Sequence, residues 1–261
     1  MTAEIYHLYH SGVVVDIDDS LMIFDYYNDQ PSGKERKLEN GVLGSKDFVG
    51  KENVYVFVSH DHPDHFNQVI FDWQQEKNDI KYILSNDLKE TQDQKMAKKN
   101  NSRFKQVTNN DSVASFFLSQ EQKMDMVDLS VQTYGSTDKG VSFLIKTDKL
   151  NVFHSGDLNW WHWKDNSERE QELEAENFKR EIDKFKDESI DIAFVPVDPR
   201  LEEFYYLAGE YFIKVVKPRI FVPIHFSDNY QITKKFKAKM IDLPTEVVQI
   251  KRRGQQISYS K

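Results

Sequence analysis

The sequence predicts an α/β protein built of stacked layers, and three observations carry that prediction. Short apolar runs bounded by turn residues fill the first and middle thirds of the chain, the pattern of paired strands. Segments with helical spacing are interleaved with these runs and concentrate after residue 165. Several of the apolar runs end in a histidine or an aspartate, and strand ends are where the loops of layered α/β proteins place their chemistry.

Taken in order, the strand-like runs are Glu4 to Tyr9, Gly12 to Ile17 and Leu21 to Tyr26, then Asn53 to Val58 after a polar stretch holding Pro31, Gly33 and Gly41. Phe66 to Gln74 has helical spacing, Lys81 to Leu84 reads as a strand, and Glu90 to Lys99 as a polar helix. Ser112 to Leu118, Val127 to Tyr134, Val141 to Thr147 and Leu150 to His154 continue the β series. From Ser167 to Lys186, Leu173, Phe178, Ile182 and Phe185 follow one another at offsets of five, four and three. That is an apolar stripe under a dense charged face, read as solvated rather than as a binding tract. Ile190 to Val197 is a buried strand, Glu203 to Val215 a helix, Ile220 to Ile224 a strand, Gln231 to Met240 a helix and Glu246 to Ile250 a last paired strand. With no internal repeat, low-complexity tract or linker, one domain over residues 1–261 is expected.

Composition narrows the function. At 261 residues, 39% hydrophobic and 13% aromatic, the chain can bury a substantial core. A formal charge of -8 and a pI near 5.5 disfavour nucleic acid and anionic membrane as partners, because both reward Lys and Arg. There is no cysteine, so a transition metal would have to be held by imidazole and carboxylate. The opening MTAEIYHLYHSG lacks a basic region followed by an apolar stretch, and no run reaches the roughly 20 apolar residues of a membrane span. A cytoplasmic protein with a small-molecule substrate is expected.

The densest signal is Ser59-His60-Asp61-His62-Pro63-Asp64-His65-Phe66, starting where the apolar run Val54 to Val58 ends. Three of the chain's eight histidines fall within six positions there, and imidazole with carboxylate suits zinc, iron or manganese. Pro63 stiffens the turn, so its neighbours need less ordering on binding. Two later strands end in the same way, Leu150 to His154 in Ser155-Gly156-Asp157 and Ile220 to Ile224 in His225-Phe226. Singly, Asp157 reads as an ordinary turn former and His225 as a structural histidine.

Together, His60-x-His62-x-Asp64-His65, Gly156-Asp157 and Val222-Pro223-Ile224-His225-Phe226 resemble the ordered motifs of the metallo-β-lactamase superfamily, with Phe24-Asp25 similar to that family's early aspartate. The resemblance implies a four-layer αββα sandwich with a dinuclear site. It assigns His60 and His62 to a first metal, Asp64, His65 and His225 to a second, and Asp157 to both. Asp25 becomes a partner that accepts the other ring hydrogen of a ligand histidine. Leu8-Tyr9-His10-Ser11-Gly12, with the segments around Asp157 and His225, looks like the branch containing ascorbate-6-phosphate lactonase. Self-association, common among relatives of this fold, is left open.

One departure stands out: residues 66–153 contain no histidine, where the family supplies another ligand to the first metal. The expected place falls within Tyr134 to Gly140. Asp138 would then supply oxygen, Lys139 would act as a charge, or a single ion would sit on the Asp64 side, which is expected to bind the tighter of the two. The implied cofactor is one or two divalent ions, zinc first, with manganese or iron as alternatives. The implied reaction is hydrolysis of an ester, thioester, lactone, amide or phosphoester by a metal-activated water oriented by Asp64. Flavodiiron relatives place an acidic residue where His62 stands, so the sequence leans hydrolytic. Two other readings are a metal-binding protein without catalysis and a small-substrate phosphodiesterase. Proton-donor or substrate-contacting residues are sought among His10, Tyr134, Asp138, Lys139, His154 and His162, with Trp161 as a wall from the Trp160-Trp161-His162-Trp163 loop. Arg200 reads either as an anion contact or as half of an ion pair.

Overall fold

β-branched and aromatic residues draw Thr2–Tyr9 (β1) and Gly12–Ile17 (β2) into a hairpin, and Ser20–Phe24 (β3) pairs antiparallel to β2. In the computed structural model, which describes residues 1–90 and 114–261, β3 is followed by Asn53–Val58 (β4), Lys81–Ser85 (β5) and Ser115–Leu118 (β6), each parallel to the one before. These strands belong to the first of two compact units, Met1–Ser119 with Arg253–Lys261. Five of the six residues of β4 are buried, as expected of a central parallel strand covered on both faces. Val54, Val56 and Val58 pack with Ile70, Trp73, Tyr82 and Leu84 in one core. Phe57 stacks on Phe24 at 4.7 Å.

The second unit, Gln120–Arg252, holds its own seven-stranded sheet. Lys123–Asp125 (β7), Leu129–Tyr134 (β8), Ser142–Thr147 (β9) and Asn151–His154 (β10) run antiparallel in sequence; Ile192–Pro196 (β11), Ile220–Ile224 (β12) and Glu246–Val247 (β13) continue parallel from β10. The helices are Glu168–Asp183 (α1), Leu207–Val216 (α2) and Tyr230–Lys239 (α3). Ser167 and Glu170 close a capping box at the start of α1, satisfying donors that a helix leaves open. An aromatic seam runs from Phe185 through Phe153 and Phe212 to Phe221 and Phe236, tying the helices to the sheet.

The expected elements differ from the structure in four places. Gln255–Ser260 forms a further strand (β14), pairing antiparallel with β1 at the edge of the first sheet. Its Ile257 and Tyr259 alternate with serine and glutamine, too little apolar signal to read alone. Arg253 fixes that return by donating to the carbonyls of Leu8, Asn28 and Gly41 at 2.9, 2.7 and 2.9 Å. The helix expected from Glu203 starts at Leu207, after a 3-10 segment Pro199–Phe204 interrupted at Glu202, whose φ is 50°. Gln68–Gln75 forms 3-10 turns rather than an α-helix. The short strand β7 has too few apolar residues to show in the sequence pattern. Residues 86–90 are helical, whereas the rest of the expected helix to Lys99 and the start of the Ser112 to Leu118 run lie outside the described residues. Among the described residues, no helix is long and apolar enough to cross a membrane.

His7, wholly buried on β1 beside the backbone of His10, has its imidazole pushed by burial from 6.5 down to about 3. The unfolded chain therefore binds a proton between those pH values that the folded chain refuses, so stability falls as pH drops through that window. The urea midpoint should decline from pH 6.5 toward pH 4, and His7→Gln should flatten the decline. An equal slope in both proteins would assign the acid sensitivity elsewhere.

Candidate metal centre

Because β3, β4 and β5 are parallel, their carboxyl ends share one edge of the first sheet, and the β1–β2 hairpin tip reaches that edge through the antiparallel pairing of β2 with β3. Asp25, just past β3, is 1% exposed and accepts three hydrogen bonds there. Ser59 N donates to Oδ1 at 2.8 Å, and Ser59 Oγ and His65 Nδ1 donate to Oδ2, each at 2.7 Å. The Ser59 hydroxyl in turn meets His60 Nδ1 at 3.0 Å. With both Nδ1 atoms spent as donors, His60 and His65 present Nε2 as an electron pair. Both rings are buried, His62 is half-buried, and His60 Nε2 lies 3.0 Å from His62 Nδ1.

Asp64 follows on the same loop, its side chain 45% exposed, with Oδ2 3.5 Å from His10 Nε2. The His10 imidazole, foremost, and the nearby His65 hold the Asp64 carboxyl well below the usual range against the opposing effect of burial. The charged form of Asp64 is thereby favoured. Gly12 lets the hairpin tip approach, since a Cβ there would stand 3.1 Å from the Asp25 carbonyl oxygen.

The second sheet repeats the device. β8, β10, β11 and β12 all point the same way, so residues 135–139, Asp157, Asp198 and His225 come off one edge. His225, 2% exposed, donates from Nδ1 to Asp198 Oδ2 at 3.0 Å and turns Nε2 to Asp157 Oδ1 at 3.1 Å. Burial opposes a charge on His225, but Asp157 and Asp198 outweigh it and raise its pKa; a field that favours a proton also favours a metal cation. Burial likewise pushes the Asp198 carboxyl up, yet hydrogen bonds from His225 and Arg200 hold it at about 2. Thr137 Oγ1 donates to the Asn159 carbonyl oxygen at 2.6 Å and accepts from Asn159 N at 2.9 Å. The exposed Asp138 is thereby set beside Asp157, with carboxylate oxygens within 4.8 Å.

These donor sets fit a divalent cation. Two atoms bound to one ion at about 2.0–2.1 Å, at angles between square and tetrahedral, stand about 2.9–3.4 Å apart. The pairs His60–His62 at 3.0 Å and Asp157–His225 at 3.1 Å fall in that range.

No protein-family model matches the sequence, and no curated protein does. Among solved structures, the chain is similar to Igni18, a metallo hydrolase from Ignicoccus hospitalis, at 13% identity with both chains covered in full and a TM-score of 0.61. It is also similar to the metallo-β-lactamase fold protein YhfI from Bacillus subtilis, at 11% identity over 99% of each chain with a TM-score of 0.61. A third likeness is to CmlA, a diiron β-hydroxylase from Streptomyces venezuelae, at 9% identity over 99% of this chain and 54% of that one, with a TM-score of 0.58. The chain has the metallo-β-lactamase fold. The likeness reaches that fold and not the lactonase-like branch.

Within this metallo-β-lactamase fold, two residues beyond those the sequence singles out lie beside the metal-competent side chains. Ser59 and Asp198 orient histidines; each follows an apolar strand by one or two positions, the signal that would have found them. Arg200 proves to be the ion-pair reading, its Nε and Nη2 closing on Asp198 at 2.9 and 2.6 Å. His154, wholly buried, accepts from Gly156 N at 3.1 Å and so shapes the turn before Asp157. Tyr134 packs on Phe185 at 4.7 Å, and burial raises its phenol to about 12. His162 packs on Phe204 at 4.2 Å, and burial pushes its pKa down. Lys139 is half-buried in the loop after β8.

The tryptophan loop turns its rings two ways. Trp160 packs on Phe178 of α1 at 6.1 Å, under the helix. Trp161 lies edge to face with His225 at 5.8 Å and stacks on Trp163 at 5.8 Å, with the Arg200 guanidinium 5.8 Å from both rings. Co2+ bound at His225 should therefore quench tryptophan emission, and Trp161→Phe should remove most of the quench. An equal quench in the variant would mean that the ion sits elsewhere.

Proposed function

We propose that the protein is a metal-dependent hydrolase of a small-molecule ester, lactone, amide or phosphoester, with His60, His62, Asp64 and His65 of the first unit and Asp157 and His225 of the second as metal ligands. The observation that carries this reading is the Ser59–His65 loop, where buried imidazoles are already oriented through Nδ1 by Ser59 and Asp25. A bound divalent ion would supply Lewis acidity and a water acidic enough to attack near neutral pH. Asp64, half-exposed and ionised, would orient that water by accepting its hydrogen bond. Asp25 and Asp198 keep their histidines in the tautomer that binds metal. Asp138 beside Asp157 supports oxygen in place of the histidine missing from residues 66–153. Zinc suits this donor set first, with manganese and iron next.

Elemental analysis of protein purified without chelator, alongside a panel of generic esters, lactones and phosphodiesters, tests the proposal. Near two ions per chain with turnover supports it with Asp138 in the ligand set, and about one ion with turnover supports a single site on the Asp64 side. Metal without turnover favours a binding protein that has lost catalysis, and no metal after reconstitution overturns the reading. His65→Ala should lose more metal than His60→Ala.

A further inference from the structure

We propose that His10 is itself a metal ligand, forming with Asp64 and His65 a three-donor site of two imidazoles and one carboxylate carried entirely by the first unit. The proposal rests on the metal-dependent reading above and adds a ligand outside the set that the resemblance assigned.

His10 sits at the tip of the β1–β2 hairpin, where Tyr9 pairs with Gly12 after a register shift between His7 and Tyr9. Such a bulge re-aims the side chains beyond it. Its φ is 55°, the left-handed region, which is strained for a non-glycine residue. Glycine or asparagine would hold that turn at lower cost, so turn geometry alone gives no reason for an imidazole. The ring is only 7% exposed and is held edge-on from two sides, by His65 at 5.8 Å and Tyr27 at 6.2 Å.

The spacing of His10 and Asp64 suits two donors on one ion. An imidazole N–H donated directly to a carboxylate closes to 2.7 Å in this protein, as His65 Nδ1 does with Asp25. His10 Nε2 instead stands 3.5 Å from Asp64 Oδ2, close to the separation of about 3.4 Å for two donors on one tetrahedral ion. Donor atoms of His10, Asp64 and His65 all lie within 4.8 Å of one another. His65 reaches this group with Nε2, because its Nδ1 is engaged by Asp25. Two imidazoles and a carboxylate suit Zn2+, Co2+ or Fe2+ and leave coordination positions open.

The test titrates chelator-stripped, full-length protein with Co2+, reading affinity by calorimetry and the ligand field by visible absorption. His10→Asn is the first variant, because asparagine keeps the left-handed backbone at low cost; far-UV circular dichroism checks its fold. Expected are a loss of Co2+ affinity of tenfold or more and an altered visible spectrum. X-ray absorption should also count one imidazole fewer per ion. Unchanged affinity and imidazole count in His10→Asn, with His65→Ala impaired, overturn the role of His10 and leave the metal-dependent reading standing. Failure of the wild type to take up Co2+ or Zn2+ overturns both. If the variant does not fold, wild-type protein loaded with cadmium decides by NMR: coupling between the ion and His10 Nε2 is expected, and its absence refutes the proposal.

Discussion

Asp64→Asn should lower turnover by about 10²–10⁴-fold, the range for removing a group that handles a proton in the reaction, and should barely move the melting temperature of the metal-free protein. The two readouts part because Asp64 is 45% exposed, and substitutions at such positions usually stay within about 0.5 kcal/mol. Asparagine preserves the size of the side chain and one oxygen but removes the charge that His10 and His65 maintain at low pH. An amide nitrogen would also point a donor where a water needs an acceptor. Steady-state kinetics on whichever panel substrate is turned over, with thermal melts, reads both effects. Turnover within threefold of the wild type would remove Asp64 from the reaction, whatever its place in metal binding.

Asp25→Asn carries the second largest effect, and here metal affinity and stability should fall together. Its carboxylate meets three donors at 2.7–2.8 Å and has no access to water at 1% exposure. Asparagine offers one oxygen and one amide nitrogen, so either Ser59 N or the Ser59 hydroxyl and His65 Nδ1 must face a donor. A buried polar group left unsatisfied costs about 1–3 kcal/mol. Loss of a carboxylate behind a ligand histidine typically costs 10–100-fold in metal affinity. Urea melts of the metal-free protein isolate the first effect, and Zn2+ competition with a chromophoric chelator reads the second. Full metal affinity in a destabilised variant would make Asp25 a structural residue only.

Much of this was legible in the sequence, for identifiable physical reasons. β4 and β12 are continuous apolar runs because parallel strands are covered on both faces, and each ends abruptly in the polar residues that form its loop. Asp25, His60, Asp157 and His225 could thus be placed at strand ends without coordinates. The contacts behind them were less legible. Asp198 reads as a turn residue ahead of Pro199, and only the parallel pairing of β11 with β12 sets it beside His225. His10 reads as a residue on a strand, because a one-residue bulge leaves no trace in composition. The tryptophan loop was ambiguous since adjacent rings face opposite ways, Trp160 to α1 and Trp161 to His225. β14 is faint in the sequence for another reason: an edge strand with one half-solvated face needs few apolar residues.

That strand also ties the first unit to the order in which the chain is made. Thr2 on β1 and Ser260 on β14 face each other from positions 258 residues apart. At synthesis rates of about 5–20 residues per second, β1 waits roughly 13–50 s for its outer neighbour. Throughout that interval its backbone groups form an open edge, the kind that recruits strands from other chains. Crowded ribosomes on one message would bring such edges together, so the yield of native protein should depend on expression rate. Any truncation before Gln255 would make the open edge permanent, although every metal-competent side chain lies before that cut.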